Sequence, residues 1–161
     1  MTRSRLKLQG RRIEGTYSSI PHAVQDSSNW RNASSNAIKL LMAISRNYNG
    51  KNNGDLSAAF SVMRAKGWAS PNTLVWGLKE LLHYKLLEKT RQGDFTKKPS
   101  LYAITWQPID DLGNKLELCS PSKVASGKWK HPVPLFDRTL VEKGKRPNRR
   151  KKTFDTHSDK H

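Results

Sequence analysis

The sequence of 161 residues contains a single cysteine, Cys119, so no disulfide can form within the chain. No stretch reaches the roughly 20 consecutive apolar residues that a membrane-spanning helix needs. The segment 1–10 is polar and basic, and it lacks the apolar centre of a secretory signal. These absences predict a cytoplasmic protein that has no membrane partner.

Catalytic and metal-binding motifs are also missing. The five histidines do not show a ligand spacing such as H-E-x-x-H, and there is no G-x-x-x-x-G-K-[ST] phosphate loop and no nucleophile elbow. Asp110-Asp111 is the only acidic doublet, and its position after Pro108 is typical of a turn or a helix cap. Glu80 and Glu88 are expected to be surface partners of lysines. We therefore expect no catalytic residues, no metal and no cofactor, and we predict that the protein is not an enzyme.

Acidic residues are scarce, since 13 Asp and Glu stand against 30 Lys and Arg and give a formal net charge of +17. The excess is concentrated in residues 1–15, with +4, and in residues 121–161, with +8. A charge of this size and sign predicts a polyanionic partner, nucleic acid ahead of a membrane surface. The aliphatic residues lie mainly between Ile20 and Leu118.

Three regions follow from this distribution. Residues 1–15 are predicted to be a basic arm, residues 16–112 a folded domain, and residues 113–161 a basic, proline-containing and largely flexible extension. Within the extension, four residues indicate a short element that docks either on the domain or on a partner, with an unstructured segment as the alternative. They are Trp129, Pro132, Pro134 and Phe136.

Apolar spacing predicts three helices in the domain. The first is capped by Ser34 or Ser35 and runs to about residue 47. The second is short, with Ser57 as its cap, and it ends near residue 66, before a glycine. The third begins at Ser70-Pro71 and ends at residue 83 or 84. Its buried side is formed by leucines: Leu74, Leu78 and Leu81.

Two extended runs follow, 86–91 and 100–106, and the second alternates strictly. The loop 92–99 between them is polar, basic and too long for a tight turn. Three helices followed by such a hairpin are the layout of a winged helix-turn-helix. The predicted fold is thus mainly α with a β-hairpin, an α+β class, carrying basic N- and C-terminal extensions.

Several segments carry a family resemblance. They are Ile20-Pro21, Val24, Ser28, Trp30 and Ser34, AIKLL at 37–41, YNGKNNGDLS at 48–57, SPNTL at 70–74, LL at 81–82, LE at 87–88, TRQG at 90–93 and LYAITW at 101–106. Together they resemble small winged-helix proteins of prophages, plasmids and integrative elements, including the winged-helix domain of replication initiators. The resemblance covers about residues 16–112 and neither arm. It implies the fold and DNA binding.

The third helix is expected to enter the major groove, because in a helix-turn-helix the second helix of the motif places its N-terminal residues at the base edges. Its outer side predicts base reading by Asn72, Thr73 and Trp76, since asparagine pairs with adenine and a threonine methyl contacts the thymine methyl. The alternatives are a merely polar first turn for Asn72 and Thr73, and packing against the protein for Trp76.

Contacts with the DNA backbone are predicted from basic and polar residues of the loops and of the third helix. These residues are Lys51, Asn52, Ser70, Lys79, Arg91, Gln92, Lys97 and Lys98. A plain turn at 51–54 and a solvated hairpin tip are the alternatives. A basic block near the C-terminus predicts nucleic-acid binding without sequence preference. Its residues are Arg146, Arg149, Arg150, Lys151 and Lys152.

The combined prediction is a sequence-specific double-stranded DNA-binding protein that regulates transcription on a bacterial mobile element. The first alternative is a replication-initiation or maintenance factor with the same domain. The second is a winged-helix protein-interaction module with arms that bind nucleic acid nonspecifically. A homodimer on an inverted repeat, and a replication or transcription protein, are the further candidate partners.

Overall fold

The computed structural model describes residues 15–94 and 98–143. These residues form a mixed α+β fold with six helices and a three-stranded antiparallel sheet, which confirms the predicted class. The helices are α1 (His22–Gln25), α2 (Ser28–Asn32), α3 (Ser35–Ser45), α4 (Phe60–Arg64), α5 (Pro71–His83) and α6 (Arg138–Lys143). The strands are β1 (Leu56–Ser57), β2 (Leu87–Arg91) and β3 (Leu101–Ile104). No helix in the two described ranges is long and apolar enough to cross a bilayer.

Helices α3 and α5 form the main helix pair of the fold. Both begin at the predicted serine caps, because the hydroxyl oxygens of Ser34 and Ser70 accept hydrogen bonds from backbone N–H groups three residues further on, at 3.3 Å in each case. A Cβ placed on Gly77 would lie 3.4 Å from Leu40 Cδ2 and 3.7 Å from Ala37 Cα. A methyl group at this position would therefore meet α3 at ordinary van der Waals distance.

The core lies between these helices and the sheet. Leu74 and Leu81 are buried as predicted, whereas Leu78 is half-buried at the edge of the core. Other large, fully buried side chains come from α3, β1, α4, β2, β3 and the turn between α5 and β2. Among them are Leu40, Leu41, Ile44, Leu56, Met63, Tyr84, Leu86, Leu87 and Ile104.

Strands β2 and β3 form the predicted hairpin, with Leu87 opposite Ile104 and an irregularity between Lys89 and Arg91. Strand β1 pairs with the other edge of β3, so the order in the sheet is β1-β3-β2. Strand β3 is therefore central, and all four of its residues are buried.

The predicted cap at Ser57 is wrong. Ser57 lies in β1 opposite Leu101, and α4 begins only at Phe60, after Ala59 in the cap position. A strand of two residues contains too few positions to show an alternating pattern. Serine is common both at helix starts and in local turns, so the sequence alone favoured a helix cap at Ser57. In the structure the Ser57 hydroxyl oxygen accepts from the Ala59 N–H at 3.2 Å within a local turn.

The folded unit also continues beyond the predicted boundary at residue 112. Residues 127–138, which we call the C-terminal strap, are tied to α2 through the fully buried Asn29. Its Nδ2 donates to the carbonyl oxygens of Trp129 at 3.0 Å and His131 at 2.9 Å, and its Oδ1 accepts from the Val133 N–H at 3.2 Å. The interpretation of an element that docks on the domain is confirmed, because Trp129, Val133 and Phe136 pack against the core.

Candidate nucleic-acid interface

The N-terminal half of α5 is the exposed part of the predicted reading helix. Asn72 is exposed, Thr73 is half-buried, and the side chain of Val75 is 43% exposed. Ser70 Oγ accepts from the Thr73 N–H, so this hydroxyl serves the cap, and its contact with the DNA backbone stays a prediction. Asn72, Thr73 and Val75 thus form a small polar and apolar surface at the start of the helix.

The strap covers the outer side of α5 from Trp76 onward. The ring of Trp76 is half-buried and meets the ring of Phe136 edge to face, with centroids 6.3 Å apart. Lys79 Nζ lies 3.9 Å and Arg138 Cζ 5.3 Å from the centroid of the Trp76 ring. The structure supports the packing alternative for Trp76, and we no longer place it among the base-reading residues.

Two hydrogen bonds fix the strap at the end of α5. His83 Nε2 donates to the carbonyl oxygen of Pro134 at 2.7 Å, and the Tyr84 hydroxyl oxygen accepts from the Phe136 N–H at 3.1 Å. The His83 ring also lies 5.4 Å from the Phe136 ring. The strap therefore meets α5 at several successive residues rather than at a single point.

Glu80 does not belong to the surface, in contrast to the sequence-based expectation. It is 5% exposed, its Oε1 accepts from the Ser34 N–H at 2.6 Å, and its Oε2 accepts from the Ser34 hydroxyl at 2.7 Å. A carboxylate at the beginning of α3 is also favoured by the helix dipole. Because Glu80 is the only acidic residue of α5, its burial leaves no exposed carboxylate of the helix itself on the outer side.

Glu88 is only partly as expected. It pairs with a lysine, Lys128, but its side chain is 11% exposed and not on the open surface. Asp110 likewise bonds internally, since its Oδ2 accepts from the Asn53 N–H at 2.7 Å. These carboxylates hold the structure together, and the described residues contain no group of three or more His, Cys, Asp or Glu that could hold a metal ion.

The hairpin loop is braced by its own side chains. Arg91 Nε and Nη2 donate to the carbonyl oxygen of Pro99 at 3.2 and 3.1 Å. Gln92 Oε1 accepts from Lys89 Nζ at 2.8 Å. Arg91 and Gln92 therefore shape the loop, and their contacts with DNA stay predictions.

Of the two lysines of this loop that were predicted to contact the DNA backbone, the structure describes only Lys98. Lys98 is exposed, and its backbone N–H donates to Asp94 Oδ1 at 3.3 Å. Lys97 lies outside the described residues, as do Arg146, Arg149, Arg150, Lys151 and Lys152 of the basic block. Lys98 is thus the cation of the loop that the structure places in solvent.

The turn before β1 contains two residues that were predicted to contact the DNA backbone, and they differ in the structure. Lys51 is exposed, whereas the side-chain amide of Asn52 is committed to the turn, because its Oδ1 accepts from the Asn49 N–H at 2.8 Å and its Nδ2 donates to the Asn47 carbonyl at 2.9 Å. The amide of Asn52 therefore shapes the turn, and its contact with DNA stays a prediction. Its neighbour Asn53 is fully buried and accepts from the Ile104 N–H at 2.7 Å.

A cation near α4 is also committed internally. Lys66 Nζ donates to the Ala43 carbonyl at 3.0 Å and to Asn47 Oδ1 at 2.7 Å, at the end of α3. Burial lowers the pKa of Lys66, and the nearby positive charge of Arg46 lowers it further. Lys66 therefore closes the C-terminal end of α3, where a cation is favoured by the helix dipole.

No protein-family model, curated protein or solved structure matches this chain. The functional argument therefore depends on the order of the elements and on the contacts described above.

Proposed function

We propose that this chain is a winged helix-turn-helix protein that binds double-stranded DNA sequence-specifically and regulates transcription on a bacterial mobile element. The observation that carries the proposal is the element order α3-β1-α4-α5-β2-β3 combined with the sheet order β1-β3-β2. In this arrangement the hairpin loop is the wing. The mobile-element role rests on the resemblance of the sequence alone.

The link between α4 and α5 supports a helix-turn-helix. Gly67 has φ of 85°, a left-handed conformation that ends the first helix, and Ser70 starts the second helix as its cap. In this motif the first helix crosses the DNA backbone and the second helix enters the major groove. The N-terminal half of α5 is then the part that reaches the bases.

The side chains there fit the chemistry of base edges. The amide of Asn72 can accept from and donate to an adenine, and the methyl groups of Val75 and Thr73 can contact a thymine methyl. Lys79, Lys98 and Lys51 are the described lysines assigned to phosphates in this proposal. The net charge of +17 adds an attraction that is independent of sequence and weakens with salt.

The test is a titration of the full chain with duplex DNA from upstream of its own gene and with a scrambled duplex, at physiological salt. We expect tighter binding of the upstream duplex, by about 1,000-fold or more for a typical specific site. Equal affinity for both duplexes removes the sequence-specific part of the proposal. Absence of binding to either duplex removes DNA binding altogether.

A matched pair of variants tests the reading residue. Asn72→Ala is expected to reduce discrimination between the two duplexes by about 1–3 kcal/mol, the contribution of one good base contact. Asn114→Ala removes an exposed asparagine from the turn Gly113–Lys115 and is expected to change nothing. If the two variants behave alike, Asn72 does not read a base.

A further inference from the structure

The C-terminal strap brings a second cation to the outer side of α5. Arg138, the exposed first residue of α6, has its guanidinium carbon 5.3 Å from the centroid of the Trp76 ring. Lys79, one turn further along α5 than Trp76, has its ammonium group 3.9 Å from the same centroid. One indole thus has two positive side chains beside it, one from α5 and one from a segment about 60 residues further along the chain.

Among the carboxylates whose side chains the structure describes, which do not include that of Glu142, none forms an ion pair with Arg138. The adjacent Asp137 is turned to its own helix, where its Oδ1 accepts from the Thr139 N–H at 2.8 Å and from the Thr139 hydroxyl at 2.7 Å. These hydrogen bonds lower the pKa of Asp137, so the carboxylate stays charged but points its acceptor to Thr139. The positive charge of Arg138 is therefore not neutralised by its neighbour.

Arg138 is also held in place. The Phe136 N–H donates to the Tyr84 hydroxyl oxygen, and the Phe136 ring contacts both Trp76 and His83. Arg138 is only two residues beyond this fixed point. A guanidinium that stacks near an indole loses less conformational freedom on binding than a free side chain, and its N–H groups remain available to a phosphate.

We propose that Arg138 contacts the phosphate backbone of the same duplex that α5 reads, and that the strap, through Arg138 beside Lys79, is part of the DNA interface. This inference rests on the proposed function. The helical rise of 1.5 Å per residue places Lys79 about 10 Å beyond Asn72 along α5. That distance exceeds the depth of the major groove, about 8.5 Å, so with Asn72 at the base edges this end of the helix is suited to the level of the phosphates.

The test uses the full chain and the upstream and scrambled duplexes, with affinity measured over a range of salt concentrations. Arg138→Gln is expected to weaken binding to both duplexes roughly three- to tenfold and to make the slope of log K against log salt shallower by about 0.9, the value for one phosphate contact. Arg138→Lys is expected to keep the slope, because the charge remains.

The strap offers a matched control. Lys130 Nζ lies 5.7 Å from the centroid of the Trp129 ring, so Lys130→Gln also removes a cation that is stacked on a tryptophan of the strap. It is expected to keep both affinity and slope. Melting temperatures of the three variants equal to that of the unsubstituted chain are expected, since Arg138 and Lys130 are exposed.

The outcomes separate this inference from the proposed function. If the unsubstituted chain discriminates between the duplexes and Arg138→Gln has the slope of Lys130→Gln, Arg138 is not a DNA contact. Tighter binding by Arg138→Gln also overturns the inference, because the strap then obstructs the interface instead of contributing to it. Failure of the unsubstituted chain to bind either duplex overturns the proposed function itself.

Discussion

The start of α5 and the stretch from Trp76 to His83 differ in what covers their outer side. At the start, Asn72 and Val75 are exposed, whereas further along the helix Trp76 and His83 contact the strap. The inner side is continuous, since Leu74 and Leu81 are buried in the same core. One amphipathic helix can therefore combine an open surface for a ligand with a closed surface for the protein's own chain.

The physical difference lies in the residue types. Small polar or β-branched side chains at the beginning of α5 have less apolar area to be removed from water, so less free energy is gained by covering them. A tryptophan has a large apolar area, and it is stabilised when a phenylalanine ring packs against it. We infer that Trp76 determines where the strap crosses α5.

The largest expected effect is on the inner side. Leu81→Ala is expected to lower the free energy of unfolding by about 2–5 kcal/mol, because Leu81 is fully buried and its truncation leaves a cavity. Leu78→Ala is expected to cost less, since Leu78 is half-buried. Denaturant unfolding of both variants measures this difference. Equal losses of stability in the two variants would show that Leu78 contributes as much to the core as Leu81.

The next effect concerns the strap. Asn29→Ala is expected to cost about 2–3 kcal/mol, because three backbone groups of the strap lose their partner and at least one buried polar group is left unpaired. Asn72→Ala serves as the control for stability and is expected to stay within about 0.5 kcal/mol of the unsubstituted chain. A similar melting temperature for the two variants would mean that the strap contributes nothing to the fold.

Trp76→Ala tests the contact between α5 and the strap directly. It is expected to cost about 1–2 kcal/mol of stability, since a half-buried aromatic ring and its contact with Phe136 are lost. Discrimination between the upstream and scrambled duplexes is expected to remain, because the ring of Trp76 packs against Phe136 of the strap. Loss of discrimination with unchanged stability would restore Trp76 to the reading surface.

Local sequence patterns predicted much of the fold, whereas contacts between residues far apart in the chain could not be predicted. The caps at Ser34 and Ser70 depend on neighbours three residues away, and so does the buried side of α5, so both could be predicted from short windows. Asn29 bonds to residues about 100 positions further along the chain, and no periodicity in a single sequence indicates such a partner. For the same reason the aromatic and proline residues of the strap indicated a docking element, but they did not show whether it docks on the domain or on a partner.

The burial and partners of charged and polar residues were the second feature that the sequence did not predict. A glutamate on a helix is usually exposed, so Glu80 gave no sign that both its carboxylate oxygens bind Ser34 across the helix pair. The loop asparagines could not be told apart either, since Asn52 and Asn53 are adjacent and only the structure shows which backbone groups each amide binds. Within the candidate interface, four predicted residues are exposed, as their assigned roles require: Lys51, Asn72, Gln92 and Lys98.

The smallest effect is expected at Val75, which is exposed near the start of α5. Val75→Ala should change the free energy of unfolding by no more than about 0.5 kcal/mol, because the side chain is 43% exposed. If its methyl groups meet a thymine methyl, the variant loses about 1 kcal/mol of preference for the upstream duplex, the value of burying one or two methyl groups. The matched measurement replaces thymine by uracil, which lacks the methyl group, at each position of the site in turn. A uracil that weakens the unsubstituted chain but not Val75→Ala identifies the contacted base. Equal sensitivity of both proteins at every position would mean that the open half of α5 reads DNA without Val75.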